Sequence, residues 1–131
     1  MFPSRTISVS INKPLAEVYA FAHVPENFMQ WASGLATTLH KEGEQWIADT
    51  PEGKAKVRFS EPNAYGVLDH WVTLPDGQEI YIPLRVIAND EGAEISLTLL
   101  RLSQMDDAAF ERDANTVRKD LGVLKSILES R

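Results

Sequence analysis

The sequence predicts an α+β protein in which a curved, seven-stranded antiparallel sheet wraps around one long C-terminal helix. Three observations predict it. Residues 5–11 alternate apolar and polar side chains. Turn-forming clusters cut the stretch from 35 to 103 into runs of strand length. The last 26 residues carry an apolar stripe at helical spacing.

In the first strand Ile7, Val9 and Ile11 share one face, and Thr6, Ser8 and Ser10 the other. "NKPLAEVYAFAH" follows, with Pro14 suited to a first helical turn and Leu15, Val18, Tyr19 and Ala22 at helical spacing. Pro25 restarts a second short helix, "PENFMQWAS", which puts Phe28 and Trp31 on one face and ends at Gly34. Breaks at "KEGE" (41–44), "TPEG" (50–53), "SEPNAYG" (60–66), "LPDGQ" (74–78) and "NDEG" (89–92) then delimit six further strands. In the closing helix Asp106 and Asp107 occupy the first turn, where the macrodipole favours anions. Phe110, Ala114, Val117, Leu121, Leu124 and Leu128 recur every three or four positions behind them and read as core. A sheet this long must curl, and only that helix is long enough to fill its concave side.

A chain of 131 residues, 44% hydrophobic and 24% charged, fits one domain spanning 1–131 with a real core. Cysteine is absent, which excludes disulfides, thiol chemistry and cysteine-ligated metals and agrees with a cytoplasmic location. The N-terminus lacks the basic-then-apolar order of a signal peptide, and no window approaches 18 consecutive apolar residues, so no membrane span is expected. A net charge of −6 with no concentrated Lys and Arg argues against nucleic acid. His23, His40 and His70 lack ligand-like spacing, so no metal is expected, and no phosphate loop or nucleophile elbow implies a cofactor or catalytic triad.

Three stretches carry a family resemblance. "INKPLAEVYAFAHVPENFMQWASG" resembles the opening of the START-related helix-grip superfamily (SRPBCC), a strand running into P-x-x-x-V-[YF] and then a Pro-started turn ending in Trp. "GVLDHWVTLPDGQEIYIPLRV" resembles its central hairpin and "FERDANTVRKDLGVLKSIL" its closing helix, as in the polyketide cyclase/dehydrase-like proteins. The resemblance covers nearly the whole chain. It implies a cavity between sheet and helix, but supplies no catalytic motif, because the superfamily includes lipid carriers, receptors, aromatase/cyclases and chaperone ATPase activators.

"VLDHWV" places Asp69 beside His70, the one adjacent acid/imidazole pair in the chain. Strand neighbours point to opposite faces, so the following turn decides which looks inward. "LPDGQ" reads as a type I turn at Pro75-Asp76 with Gly77 left-handed, closing a three-residue hairpin. His70 then faces Ile82, Trp71 faces Tyr81 and Asp69 faces Pro83. Leu68, His70, Val72, Ile80, Ile82, Leu84 and Val86 share the apolar side. Closing the next hairpin through "NDEG" adds Ile95, Leu97, Leu99 and Arg101 to it. His70 points in and Asp69 out, where it can pair across strands with Lys56 or Arg85 for at most about 1 kcal/mol. A two-residue Asp76-Gly77 turn would instead put Tyr81, Pro83 and Arg85 beside His70. Pro83 lacks an N–H and can mark a bulge that swings Arg85 toward the cavity.

The expected ligand site therefore comprises Val57, Phe59, Leu68, Val72, Ile82, Leu97, Val117 and Leu121, with His70 and Arg101 orienting the ligand. Trp31, Trp46 and Arg118 would stand near the rim. His70 is either a satisfied core imidazole, a polar contact for a ligand, or a general acid/base if the protein is an enzyme. The leading expectation is a binder of a small, mostly hydrophobic molecule of acyl, aromatic or isoprenoid-like type. The alternatives are an aromatase/cyclase- or dehydrase-type enzyme using His70, and a protein-interaction module. On the outer face Trp71, Tyr81, Pro83, Leu100 and Leu102 form a candidate homodimer patch, unless the stems of Lys56, Arg58, Glu79, Arg85 and Glu94 cover it.

Overall fold

The computed structural model describes residues 1–33 and 38–131. The expected helix end at Gly34 lies outside the described residues. Strand β1 (Ser4–Ile11) leads into helices α1 (Leu15–Ala22) and α2 (Pro25–Trp31). There follow β2 (His40–Glu42), β3 (Gln45–Thr50), β4 (Gly53–Phe59), β5 (His70–Thr73), β6 (Glu79–Ile82), β7 (Leu84–Asn89) and β8 (Gly92–Leu100), and then α3 (Asp107–Glu129). The element order is the one expected, with eight strands among the described residues rather than seven.

The extra strand comes from Pro83. The expected single run 79–88 divides there into β6 and β7, because proline has no N–H to give the ladder. The strands accordingly fall into a three-stranded sheet, β1-β8-β7, and a five-stranded sheet, β2-β3-β4-β5-β6. The register, however, passes through Pro83 unchanged. His70 faces Ile82 and Val67 still faces Arg85, so no residue is inserted and Arg85 stays on the outer face with Asp69. The bulge that would have turned Arg85 inward does not form.

The three-residue hairpin between β5 and β6 closes as its turn residues dictate. Leu74 donates to the Gln78 carbonyl at 2.8 Å, Gly77 donates to the Leu74 carbonyl at 2.9 Å, and Gly77 sits at φ +91°. Trp71 then meets Tyr81 and Val72 meets Ile80. The Gly66 position, before β5, also requires glycine. It has φ +70°, and a Cβ there would stand 2.1 Å from the Val86 carbonyl oxygen.

Helix α3 lies across the concave side. Asp106 caps it, accepting from the Ala109 N–H at 2.8 Å, so this aspartate stands just outside the first turn and Asp107 within it. Ala114, Leu121, Leu124 and Leu128 are buried against Ile7, Ile11, Ile95 and Leu97 of β1 and β8. Each fully buried leucine contributes roughly 1.5–3 kcal/mol by leaving water. At the C-terminal end Glu129 accepts from the Asn12 N–H at 2.8 Å, tying the helix to the end of β1.

Candidate functional site: a cavity between sheet and helix

Between α3 and the inner sheet face lies a cavity of about 300 Å³. Val57 and Phe59 of β4, His70 and Val72 of β5, Ile82 of β6 and Leu97 of β8 line it from the sheet. Trp31 of α2 and Val117 and Leu121 of α3 line it from the helices. Nine side chains singled out in the sequence thus meet around one space. Phe28, Leu39, Ile80 and Leu99 join them, as do Asp113, Thr116 and Asp120 along α3. Ile80 and Leu99 were already on the inner face of the assigned register. Asp113 lies four residues before Val117 and Asp120 three after it, the helical spacing that could have found them, and Thr116 directly precedes Val117.

Four expected residues lie elsewhere. Leu68 is buried under α1, in contact with Tyr19 and Ala22 rather than the cavity, because the chain before β5 has already turned toward that helix. Trp46 packs edge-on to Phe59 and lines a separate depression with Lys56 and Glu61, being one strand too far from the helix. Arg101 falls just past the end of β8. Its Nε donates to the Met105 carbonyl at 3.1 Å and its guanidinium pairs with Asp107, so it pins the start of α3. Arg118 is exposed and donates to Asn115 at 2.6 Å. Both arginines are rim or surface groups.

His70 is the one imidazole in the wall. Phe28 meets its ring edge-on at 5.5 Å and Phe59 lies tilted at 5.9 Å. Nδ1 is 3.3 Å from the Leu68 carbonyl, the only hydrogen bond the ring makes among the described residues, so Nδ1 is placed to carry the proton. Burial pushes the ring's pKa below its ordinary value, against the smaller opposing pulls of the Leu68 carbonyl and the Asp69 charge. The histidine is neutral at pH 7. Beside it, the indole Nε1 of Trp31 is the one fully buried side-chain polar atom without a partner among the described residues.

Asp69 faces the other way, as strand alternation requires, but it is far from a surface carboxylate. It is only 4% exposed. Arg85 donates to it through Nε at 3.2 Å and Nη2 at 2.9 Å, the Tyr81 hydroxyl at 2.7 Å and the Leu84 N–H at 2.9 Å. The expected cross-strand pairing with Arg85 is present, whereas Lys56 faces Thr73 further along. Burial raises the Asp69 pKa, but hydrogen bonds from Arg85, Tyr81 and Leu84 together outweigh it and hold the carboxyl below the usual range. The pair differs from the expected surface one in that its carboxylate is buried, while the Arg85 side chain remains 56% exposed. Asp69 takes the Leu84 N–H just where Pro83 interrupts the ladder, and so closes the seam between β6 and β7.

Asp113 and Asp120 supply the charge of the cavity wall. Partial burial holds the Asp113 carboxyl above the ordinary range, with Arg112 pulling weakly against it. Asp120 accepts from the Ser33 hydroxyl at 2.6 Å, joining the chain after α2 to α3. A larger trough of about 890 Å³ runs outside α1, but it is an open surface groove edged by exposed Asn12, Glu17, Asp90 and Glu91. No group of three or more metal-ligating side chains occurs among the described residues.

No family model and no curated protein matches the sequence. Solved structures do resemble the fold. DynU16, from the dynemicin biosynthetic locus, has TM-score 0.69 and 17% identity over 96% of this chain; the chain spans 47% of its length. Ara h 8.0201 has TM-score 0.67 and 10% identity, with both chains fully covered. XoxI from Bacillus cereus has TM-score 0.73 and 12% identity over 95% of this chain and 94% of its own. At these identities the likeness shows the fold, and that fold is the helix-grip architecture expected from the sequence. Curved antiparallel strands, paired short helices after β1 and a long closing helix in their grip identify this chain as a helix-grip protein.

Proposed function

We propose that the protein binds a small, mostly apolar molecule, of acyl, aromatic or isoprenoid-like body, in the cavity between the sheet and α3. One observation carries the reading: an apolar space of about 300 Å³ with a single neutral imidazole in its wall. That volume lies at the lower end of the range for ligand sites. An apolar occupant would take that wall out of water, at roughly 25 cal/mol per Å² of surface removed.

Catalysis of the cyclase or dehydrase type would need a second proton-transfer group converging with His70 on the ligand. Asp120 is engaged by Ser33, and neither Asp113 nor Asp120 hydrogen-bonds His70. Binding is therefore the reading the geometry supports best. Native mass spectrometry of protein purified from its own host tests it. A co-purifying small molecule is expected; a bare protein that also takes up no apolar compound in vitro would end the proposal.

Pairing of two copies through the outer sheet face is a separate proposal. Trp71 and Tyr81 stack there at 5.4 Å, but the Arg58 guanidinium lies 4.0 Å over Trp71 and covers part of the patch. Trp71→Glu should turn a dimer into a monomer in sedimentation equilibrium. A monomer before the substitution would mean that the arginine cover suffices.

A further inference from the structure

The cavity wall has a polarity of its own, and it restricts the ligand. His70 has two ring nitrogens, and the protein uses one. Nδ1 faces the Leu68 carbonyl, which can only accept, so the proton of the neutral ring belongs on Nδ1 and Nε2 carries a lone pair. Nε2 has no partner among the described residues. It is also absent from the sealed, unpartnered atoms, of which Trp31 Nε1 is the only example among the described residues. His70 is half-buried and lines the cavity, which leaves Nε2 as the ring nitrogen available to a ligand there. The burial that keeps the imidazole neutral strengthens this arrangement, since a neutral ring in this tautomer offers an acceptor and no cation.

Charge around the rest of the wall points the same way. No Lys or Arg lines the cavity among the described residues; besides His70 its ionisable groups are the carboxylates of Asp113 and Asp120 and the phenol of Tyr81, whose hydroxyl is already given to Asp69. An anionic ligand would meet no countercharge inside, only two like charges along α3 and an apolar wall that removes its hydration. A neutral ligand with a hydroxyl would give its proton to Nε2 while its body filled the space between Phe28, Phe59 and Val117.

We infer that the cavity selects neutral, hydroxyl-bearing ligands, phenols or alcohols on a compact apolar body, and discriminates against carboxylates. The inference rests on the cavity being a ligand site and adds which chemical class it takes.

Three compounds of one shape test it by calorimetry at pH 7. 2-Naphthol carries a neutral hydroxyl donor there, 2-methoxynaphthalene has the same body without a donor, and 2-naphthoate is ionised. The protein should bind 2-naphthol about tenfold more tightly than 2-methoxynaphthalene, as one hydrogen bond allows, and 2-naphthoate most weakly. His70→Phe should equalise the first two while retaining both. Equal binding of 2-naphthol and 2-methoxynaphthalene by the unaltered protein would overturn the donor requirement, as would tighter binding of 2-naphthoate or a naphthol preference that survives in His70→Phe. The series on the unaltered protein decides the matter even if the variant does not fold. Binding of 2-methoxynaphthalene with no naphthol advantage would leave the ligand site standing and remove only its selectivity. Failure of all three to bind would remove both.

Discussion

Asp69 and His70 are neighbours that titrate in different surroundings, and each sets a different part of the protein's response to acid. Both folded-state pKa values lie below the ordinary ones, so on acidification the unfolded chain binds the proton first. The stability tied to His70 is full above about pH 6.5 and declines as the pH falls toward the lowered value. That tied to Asp69 is full above about pH 4 and is lost below it. The urea midpoint should therefore fall between pH 7.5 and 5.5, and His70→Phe should shrink that fall. His40 is exposed and its pKa is raised, chiefly by the Thr38 carbonyl and Glu42, so it works in the opposite direction. Comparison of the two proteins cancels its effect. An undiminished fall in the variant would contradict the buried-imidazole account. Asp69→Asn leaves the shape but removes the charge that gathers Arg85, Tyr81 and Leu84. It should cost about 2–3 kcal/mol in urea unfolding at pH 7, the range of hydrogen bonds to a buried charged group. A loss under about 0.5 kcal/mol would show that the seam at Pro83 does not depend on it.

Elements form where local chemistry and burial agree. The hairpin at 74–78 was legible because its turn residues admit few geometries, and that turn fixes which strand residues face inward. The closing helix was legible from Asp106 and the apolar stripe together. Asp106→Ala should lower stability by about 1 kcal/mol, measured as a shift in urea midpoint with unchanged slope, because the Ala109 N–H loses its acceptor. The division of the fourth hairpin arm into β6 and β7 was only half legible. Pro83 announces a missing N–H, but that the register continues through it depends on Leu84 finding the Asp69 carboxylate, a contact of 15 residues' separation. Arg101 shows the same limit. Strand alternation put it inward, but β8 ends at Leu100, and beyond a strand's end alternation no longer governs direction.

For the molecule as a whole, the cavity is what remains when one helix covers a sheet too curved to touch it everywhere. Alternation places Val57, Val72, Ile82 and Leu97 on its wall with no knowledge of the third dimension. Leu68 and Trp46 share that inner side but miss the cavity, because position along and across the curved sheet decides what meets α3. The polar residues Asp113, Thr116 and Asp120 escaped notice because they flank the apolar stripe; Asp113 and Thr116 are indeed exposed and border the cavity at its edge. The account's central claim is that this space holds a small ligand. Calorimetric titration of 2-naphthol into the native protein and into Val117→Trp, whose ring would project into the cavity from α3 and obstruct it, tests it most directly. Saturable binding at one site per chain, abolished in Val117→Trp with the far-ultraviolet circular dichroism unchanged, is the result predicted. No binding to the native protein, or equal binding to the obstructed variant, would contradict it.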